Sequence, residues 1–184
     1  IAILGNHEFD NGLDPLHKQL STLNATKIST NYDLSKTLLD SLFVPFEIKE
    51  YDGKRIGIIG LGIAPKGMIS SRNCHGVEYL DAIKAANATA WHLKHHLHTD
   101  AIIALTHVGY DSKSPSNPND LEIARNTENI DIIIGGHSHT TINASGENSP
   151  IHEVANLAGD TVLIAQAGGT GRYLGEITLD IENR

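Results

Sequence analysis

The sequence predicts an α/β layered fold on three observations. Apolar, strand-like runs alternate with stretches of helical periodicity, which is the pattern of layered α/β proteins. Glycine is common, with 17 residues, and aromatic residues make up only 5%. That balance suits many tight turns between strands and helices better than an aromatic-rich β-sandwich. The chain has 184 residues and is 40% hydrophobic, so it can bury one sizeable core and is expected to form one domain.

Four apolar runs predict strands that are covered on both faces, because each is rich in β-branched residues and ends in glycine or polar residues. A further strand pair is predicted at Val44–Tyr51 and Lys54–Leu61, with Asp52-Gly53 as the hairpin turn. The four runs are Ile1–Leu4, Ala101–Leu105, Ile130–Ile134 and Thr161–Ala165.

Helices are predicted between the strands from leucine, isoleucine and alanine at spacings of three and four. A third, shorter helix is expected near Asn119–Asn126, and Tyr173–Ile181 is expected to be a closing strand. The first apolar stripe consists of Leu13, Leu16, Leu20 and Leu23, and the second of Ile83, Ala86, Ala90, Leu93 and Leu97.

Charge and hydropathy exclude several classes of function. The formal net charge is −8 and the basic residues form no cluster, which argues against binding polymeric nucleic acid through its phosphates. No apolar run approaches the ~20 residues that a membrane-spanning helix needs. The single cysteine, Cys74, rules out an internal disulfide. A small phosphate ligand would be repelled by so acidic a protein unless bound cations reversed the local field.

Metal-ligand residue types follow three of the four apolar runs. Because ligands of open α/β sheets bind beyond the carboxyl ends of the strands, we expect these side chains to meet at one edge. A histidine in any one place is more often structural, but three strand ends that supply such residues together indicate a site. The three segments are Gly5-Asn6-His7-Glu8-Phe9-Asp10, Thr106-His107 and Gly135-Gly136-His137-Ser138-His139.

The spacing within these segments predicts different roles for neighbouring residues. On an extended backbone, His137 and His139 would address two neighbouring metals or two sides of one site. Asn6 can supply a neutral oxygen ligand. Asp10 lies three residues after His7 and is placed to fix the tautomer of its ring.

These three segments resemble successive motifs of the calcineurin-like metallophosphoesterases. The longer stretches 5–12 (Gly-Asn-His-Glu-Phe-Asp-Asn-Gly) and 166–175 (Gln-Ala-Gly-Gly-Thr-Gly-Arg-Tyr-Leu-Gly) resemble the branch that contains 5′-nucleotidases, UDP-sugar hydrolases and 2′,3′-cyclic-nucleotide phosphodiesterases. The resemblance implies a layered αββα sandwich that here lacks its N-terminal strands. It also implies that residues 1–184 are a partial catalytic domain, without the C-terminal domain that binds the substrate.

The resemblance assigns a role to each candidate site residue. Asn6, His107 and His137 would bind one divalent metal ion and His139 a second, while His7 would be a catalytic residue paired with Asp10. Glu8 is expected to be structural. Two metals would hold a bridging hydroxide for in-line attack on phosphorus, and His7 would stabilise the phosphoryl charge or protonate the leaving group. Whether the metals are Zn, Mn, Mg, Fe or Ca is left open.

The ligand set also limits what this chain is expected to do alone. Its four candidate ligands are neutral and lack the carboxylates that a two-metal site needs, so we expect at most one weakly held metal and negligible turnover. The sequence opens at Ile1 within an apolar run, and its only methionine is Met68, so we expect that upstream sequence with further ligands is missing.

Several alternatives remain open at this stage. The substrate is expected to be a nucleotide, but sugar nucleotides, cyclic phosphodiesters and thiosulfate esters suit the same scaffold. A non-catalytic relative that acts as a binding or scaffold module is a hypothesis from another class. The resemblance alone implies a periplasmic or cell-surface location, and an open sheet edge could pair with another copy of the chain.

Overall fold

The computed structural model describes residues 1–113, 117–142 and 152–181. Within these ranges the chain forms three α-helices, ten strands and two short 3₁₀ turns at His7–Phe9 and Asp40–Leu42. The helices are α1 (Leu13–Thr22), α2 (Ala82–His95) and α3 (Asp120–Arg125). The strands are β1 (Lys27–Ile28), β2 (Tyr32–Asp33), β3 (Phe43–Val44), β4 (Phe46–Tyr51), β5 (Lys54–Gly62), β6 (Glu78–Tyr79), β7 (Ala101–His107), β8 (Ile132–Ile134), β9 (Glu153–Ala155) and β10 (Thr161–Ala165).

A six-stranded mixed sheet in the order β4-β5-β7-β8-β10-β9 forms the centre of the fold. Its four inner strands, β5, β7, β8 and β10, run parallel, and the two outer strands pair antiparallel to them. The hairpin between β4 and β5 turns at Asp52 and Gly53, both at positive φ, as a two-residue type I′ turn requires. The predicted α/β class is confirmed.

The parallel register brings the carboxyl ends of the inner strands to one edge of the sheet. Gly62 at the end of β5 pairs with His107 at the end of β7. Ile134 at the end of β8 pairs with Leu105 on one side and Ala165 on the other. The segments that follow these strands therefore lie side by side, as the sequence predicts for its histidine-bearing segments.

The largest core cluster lies between the sheet and helices α2 and α3. Its members include Leu93 of α2, Ile123 of α3 and Ile102, Ile133 and Ile164 of the sheet, all without accessible surface. The apolar stripe predicted for the second helix is the one that α2 buries, because positions three and four apart share a helix face. This packing fixes the strands whose ends carry the site.

A second core cluster anchors the segment that carries Asn6 and His7. Phe9, fully buried, packs edge-on against Tyr32 with ring centroids 6.1 Å apart, and Leu16 and Leu20 of α1 join the same cluster. Gly12 precedes α1 at φ +83°, a conformation that side chains other than glycine rarely adopt. The turn at residues 7–9 is thus held in place by the buried ring of Phe9 and by the helix that begins soon after it.

Two predicted strands are wrong and four short strands were missed, which corrects the sequence analysis. Ile1–Leu4 makes only a single bridge, from Ala2 to Lys27, because its neighbour β1 is only two residues long. Tyr173–Ile181 has no regular secondary structure, and Leu174 is 98% exposed, so its apolar residues do not mark a strand. The short strands that were not predicted are β1, β2, β6 and β9.

Candidate functional site

The amide oxygen of Asn6 is the meeting point of the first three candidate ligands. Asn6 Oδ1 lies 3.2 Å from His107 Nε2 and 3.1 Å from His137 Nδ1. The two imidazole rings meet edge to face with centroids 5.2 Å apart. Asn6 itself is 6% exposed, so its oxygen is aimed at the histidines rather than at bulk water. The structure therefore brings together the three residues that the sequence predicts as ligands of one metal.

Burial disfavours the charged forms of the two imidazoles in this cluster. Burial is the main cause that lowers the pKa of His107, and the neighbouring His137, His7 and His139 lower it further, while Glu8 acts in the opposite direction. Burial also lowers the pKa of His137, with smaller effects from His139 and His7. A neutral imidazole presents the lone pair that a metal needs, so the lowered pKa values of His107 and His137 favour metal binding.

The donor set fits one divalent metal ion. Two imidazole nitrogens lie against one amide oxygen, and such N and O donors suit first-row divalent metals. Among the described residues, no group of three or more His, Cys, Asp or Glu side chains could hold a metal ion, so the third donor here is the amide of Asn6. The role of these residues as ligands remains a prediction.

Two glycines leave the space that the His107 ring occupies. A Cβ on Gly5 would lie 2.8 Å from His107 Cε1, and one on Gly136 would lie 3.1 Å from its Nδ1. The backbone amide of Gly5 also donates a 2.6 Å hydrogen bond to Glu8 Oε2, which closes the loop that carries Asn6. This contact accounts for Glu8 as a structural residue, in keeping with the sequence analysis.

His137 and His139 do not lie on an extended backbone, which corrects the sequence analysis. Their φ angles are +74° and +55°, in the left-handed region that non-glycine residues rarely adopt. A tight turn, in which the amide of Ser138 donates to Gly136 O at 3.0 Å, replaces the expected extension. His137 contacts Asn6, while His139 lies against Gly169.

The ring of His139 is held by a different part of the chain from the other three candidate ligands. Its ring packs on the glycine-rich segment after β10, so closely that a Cβ on Gly169 would lie 2.7 Å from His139 Cγ. The side chain is exposed but still influences the pKa of His107 and of His137. This position outside the Asn6 cluster is compatible with the predicted second metal, a role that stays a prediction.

His7 and Asp10 form the contact expected of a dyad. His7 Nδ1 lies 2.9 Å from Asp10 Oδ2, across one 3₁₀ turn, and the two side chains are 80% and 63% exposed. His7 is also near enough to His107 and His137 to lower the pKa of each. An accessible imidazole beside a cluster of neutral donors has the access that a proton donor to substrate requires, although the catalytic role itself remains a prediction.

Gln166 is a site residue that the sequence analysis missed. Its Oε1 accepts hydrogen bonds from Thr140 N at 2.6 Å and Ser138 Oγ at 3.1 Å, and its Nε2 donates to Gly136 O at 3.1 Å. Three bonds from one buried amide thus hold the turn that carries His137 and His139. Two signals in the sequence point to Gln166: it directly follows an apolar run, and it begins the stretch 166–175 that carries the family resemblance.

Asp120 is the second residue that the sequence analysis missed. It has no accessible surface, and its Oδ1 accepts a 2.6 Å hydrogen bond from Thr106 Oγ1, next to His107. Burial raises the pKa of its carboxyl to about 7, and the hydrogen bond from Thr106 acts against that rise. In the sequence Asp120 is one acidic residue at the start of a helix, where such residues are ordinary.

Known proteins resemble this chain both as a family and as individual relatives. The sequence profile of the Calcineurin-like phosphoesterase family matches residues 1–141. The 5′-nucleotidase of Vibrio cholerae is 32% identical over 98% of this chain and 34% of its own length. The probable 5′-nucleotidase of Treponema pallidum is 30% identical over 96% of this chain and 30% of its own length.

Solved structures give the same result. The 5′-nucleotidase precursor of Thermus thermophilus superposes with a TM-score of 0.77 at 34% identity, over 90% of this chain and 32% of that one. The NAD nucleotidase of Haemophilus influenzae superposes with a TM-score of 0.75 at 32% identity, over 89% and 33%. This chain thus spans about a third of the length of these relatives. Within the described residues, none of the helices has the length and apolarity to span a bilayer. The profile match and the similarity of sequence and fold together show that the chain belongs to the calcineurin-like phosphoesterase family.

Proposed function

We propose that this chain is part of the catalytic domain of a metal-dependent phosphoesterase that hydrolyses nucleotides. The observation that carries the proposal is the convergence of His107 Nε2 and His137 Nδ1 on Asn6 Oδ1, at the sheet edge where an exposed His7–Asp10 pair also lies. Relatives named 5′-nucleotidases, at 30% to 32% identity, support nucleotides as the substrate class.

In this proposal Asn6, His107 and His137 hold one divalent cation and His139 contributes to a second. The bound cations would supply Lewis-acid chemistry, lowering the pKa of water and offsetting phosphate charge in a protein of net charge −8. Neutral His107 and His137 bind without first losing a proton, because burial already disfavours their charged forms. Since all four ligands are neutral, we expect residues 1–184 alone to bind metal weakly and to turn over little substrate.

His7 would act on the substrate directly. Asp10 accepts from its Nδ1 side, which holds the ring and leaves the Nε2 edge turned away from Asp10. From that position a His7 ring that carries a proton on both nitrogens can donate a hydrogen bond from Nε2 to a phosphoryl oxygen, or pass that proton to the leaving alkoxide and become neutral. Its 80% exposure keeps this edge open to a ligand.

The test is phosphate release by the whole polypeptide encoded with this segment, alongside residues 1–184 alone, with and without added Mn²⁺, Co²⁺ or Zn²⁺. AMP and UMP should be hydrolysed by the whole polypeptide only with metal, and Asn6→Ala or His137→Ala should abolish the activity. His92→Ala, which changes an exposed histidine on α2, is the matched control. Preferential hydrolysis of UDP-glucose, a cyclic phosphodiester or a thiosulfate ester would replace the substrate class. Metal binding without hydrolysis of any of these would instead support a binding module.

Two further properties belong to the same proposal. The family resemblance supports export to the periplasm or cell surface, which fractionation of the native cells would test. Strands β4 and β9 stand at the two edges of the described sheet, where unpaired backbone groups favour pairing with a second copy. Light scattering across a concentration series should then detect a dimer.

A further inference from the structure

The buried carboxylate of Asp120 is tied to the strand that delivers His107. Thr106 is the last residue but one of β7, and its hydroxyl donates to Asp120 Oδ1 at 2.6 Å. Asp120 has no accessible surface and begins α3. A hydrogen bond between a hydroxyl and a carboxylate in a dry interior is strong and directional. The backbone immediately before His107 is therefore held by a residue of a helix behind the sheet edge.

The other oxygen of the same carboxylate reaches the strand that delivers His137. Asp120 Oδ2 lies so close to Gly135 that a Cβ built there would be only 2.2 Å away. Gly135 directly follows β8 and leads into the turn that carries His137. One side chain thus touches the ends of both strands that bring histidines to Asn6.

The start of α3 does not explain why an aspartate is buried here. Asn119 already caps the helix: its side chain accepts from Glu122 N at 2.9 Å, and Glu122 Oε2 accepts from Asn119 N at 3.0 Å. Meanwhile Asp120 Oδ2 is buried without a hydrogen-bond partner. A buried carboxylate oxygen with no partner is unfavourable for folding, so a polar group held this way indicates a role outside local structure.

We propose that Asp120 is a positioning residue of the metal site: its carboxyl group holds the end of β7 by a hydrogen bond and packs against the backbone that follows β8, so that His107 and His137 meet at Asn6, and in its ionised form it places a negative charge behind these neutral ligands, which favours a bound cation. The inference rests on the proposed metal centre. Asp120 would support a set of neutral ligands with a carboxylate, without binding the metal itself. Partners of this kind commonly change metal affinity by about 10- to 100-fold.

The experiment is a Co²⁺ titration of the whole polypeptide encoded with this segment, followed by ligand-field absorption, a readout that does not depend on turnover. All proteins carry His96→Gln, because the exposed His92 and His96 rings lie 5.3 Å apart on α2 and could bind cobalt themselves. Asp120→Asn removes the charge and keeps the shape, Thr106→Val removes the hydrogen bond, and Thr106→Ser keeps it. Thr127→Val is the matched control, since its buried hydroxyl donates to Ile123 O at 2.7 Å at the far end of α3.

We expect Asp120→Asn and Thr106→Val each to weaken cobalt binding by about 10-fold or more. Thr106→Ser should restore it, and Thr127→Val should leave it unchanged while lowering the free energy of unfolding. If Asp120→Asn does not fold, the comparison of Thr106→Val with Thr127→Val decides. Cobalt binding that is equal in all variants overturns the inference but leaves the metal centre standing. A starting protein that binds no cobalt at these histidines overturns the metal centre and the inference with it.

Discussion

Gly169 lies directly against the imidazole of His139, so that a Cβ at position 169 would be 2.7 Å from His139 Cγ. Real Cβ atoms do not approach another carbon so closely, and the ring would have to move. The position of the fourth candidate ligand therefore depends on the absence of a side chain on a segment that follows β10.

Gly169→Ala should displace His139 and reduce metal-dependent phosphatase activity of the whole polypeptide by about 10-fold or more, since site residues displaced by an ångström lose much of their effect. Gly175→Ala is the control, because the nearest atom to its new Cβ would be 3.8 Å away, an ordinary contact. Binding of a second equivalent of metal, followed by calorimetry, would locate the defect. Equal activity of the two variants would show that His139 has no part in the site.

His7→Asn should lower kcat by about 10²- to 10⁴-fold, the usual contribution of an acid–base group, and Asp10→Asn should lower it less. Neither change should alter the free energy of unfolding, because the pair is 80% and 63% exposed and such pairs contribute little to stability. Chemical denaturation and steady-state kinetics measure the two effects. His95→Asn, on the exposed side of α2, is the control. Loss of stability together with activity would mean that the dyad is structural.

Gln166→Met should loosen the turn that carries His137 and His139. The change keeps the length of the side chain but removes its bonds to Thr140 N, Ser138 Oγ and Gly136 O. Of these groups only Thr140 N then lacks another partner, at a cost of about 1–3 kcal/mol if it stays buried. We expect a lower denaturation midpoint and weaker Co²⁺ binding in the same protein. Asn156→Ala, which removes a turn held by hydrogen bonds from Ala158 N and Asp160 N, should affect the midpoint alone. Unchanged metal affinity in Gln166→Met would argue against its role.

Asp120 should give the metal-free protein a characteristic pH dependence. Burial raises the pKa of its carboxyl from 3.8 to about 7, so the folded protein holds a proton that the unfolded chain releases. Between about pH 4 and pH 7 the unfolded chain therefore binds fewer protons, and the contribution of Asp120 to stability falls as pH rises. The stabilisation by Asp120 is complete below pH 4 and is lost above the pKa that its carboxyl has in the folded protein. The free energy of unfolding would change by on the order of 4 kcal/mol at most.

Asp120→Asn isolates this contribution, because asparagine does not titrate. His107 and His137, whose pKa values are lowered, act with the opposite sign and destabilise the folded state as pH falls below about 6.5, in both proteins alike. The difference in unfolding free energy between the original protein and the variant, measured by urea denaturation in EDTA, should decline from pH 4 to pH 7 and then level off. Parallel curves across that range would show that Asp120 has an ordinary pKa.

Much of the fold and the first candidate ligand cluster could be predicted from the sequence. The predictions of α2, of the β4–β5 hairpin and of one shared strand edge hold because each depends on local periodicity, turn chemistry or the direction of parallel strands. His107 and His137 meet for the same reason, because parallel register brings the ends of β7 and β8 together, whereas Asn6 reaches them on a segment held by the packing of Leu4 and Phe9.

What could not be predicted depends on contacts between distant segments. Gln166 bonds to residues 26 to 30 positions away, and Asp120 to a residue 14 positions away, so neither leaves a local pattern. The left-handed backbone at His137 and His139 is imposed by the turn and its partners, against the preference of histidine. Tyr173–Ile181 has apolar residues at strand-like spacing but no neighbouring strand to pair with among the described residues.

The distance along the chain between the members of the Asn6 cluster has a consequence for how the protein matures. Asn6 is 101 positions from His107 and 131 from His137, and the donors meet only once β5, β7 and β8 have paired. Long-range parallel pairing is slow and late, so a nascent chain has no preformed site with which to recruit its ion. Metal capture would then lock a finished structure, adding about 2.7 kcal/mol to its stability at an ion concentration 100-fold above Kd. The concentration of free cations in the compartment where folding ends would therefore determine the stability, and with it the lifetime, of each folded molecule.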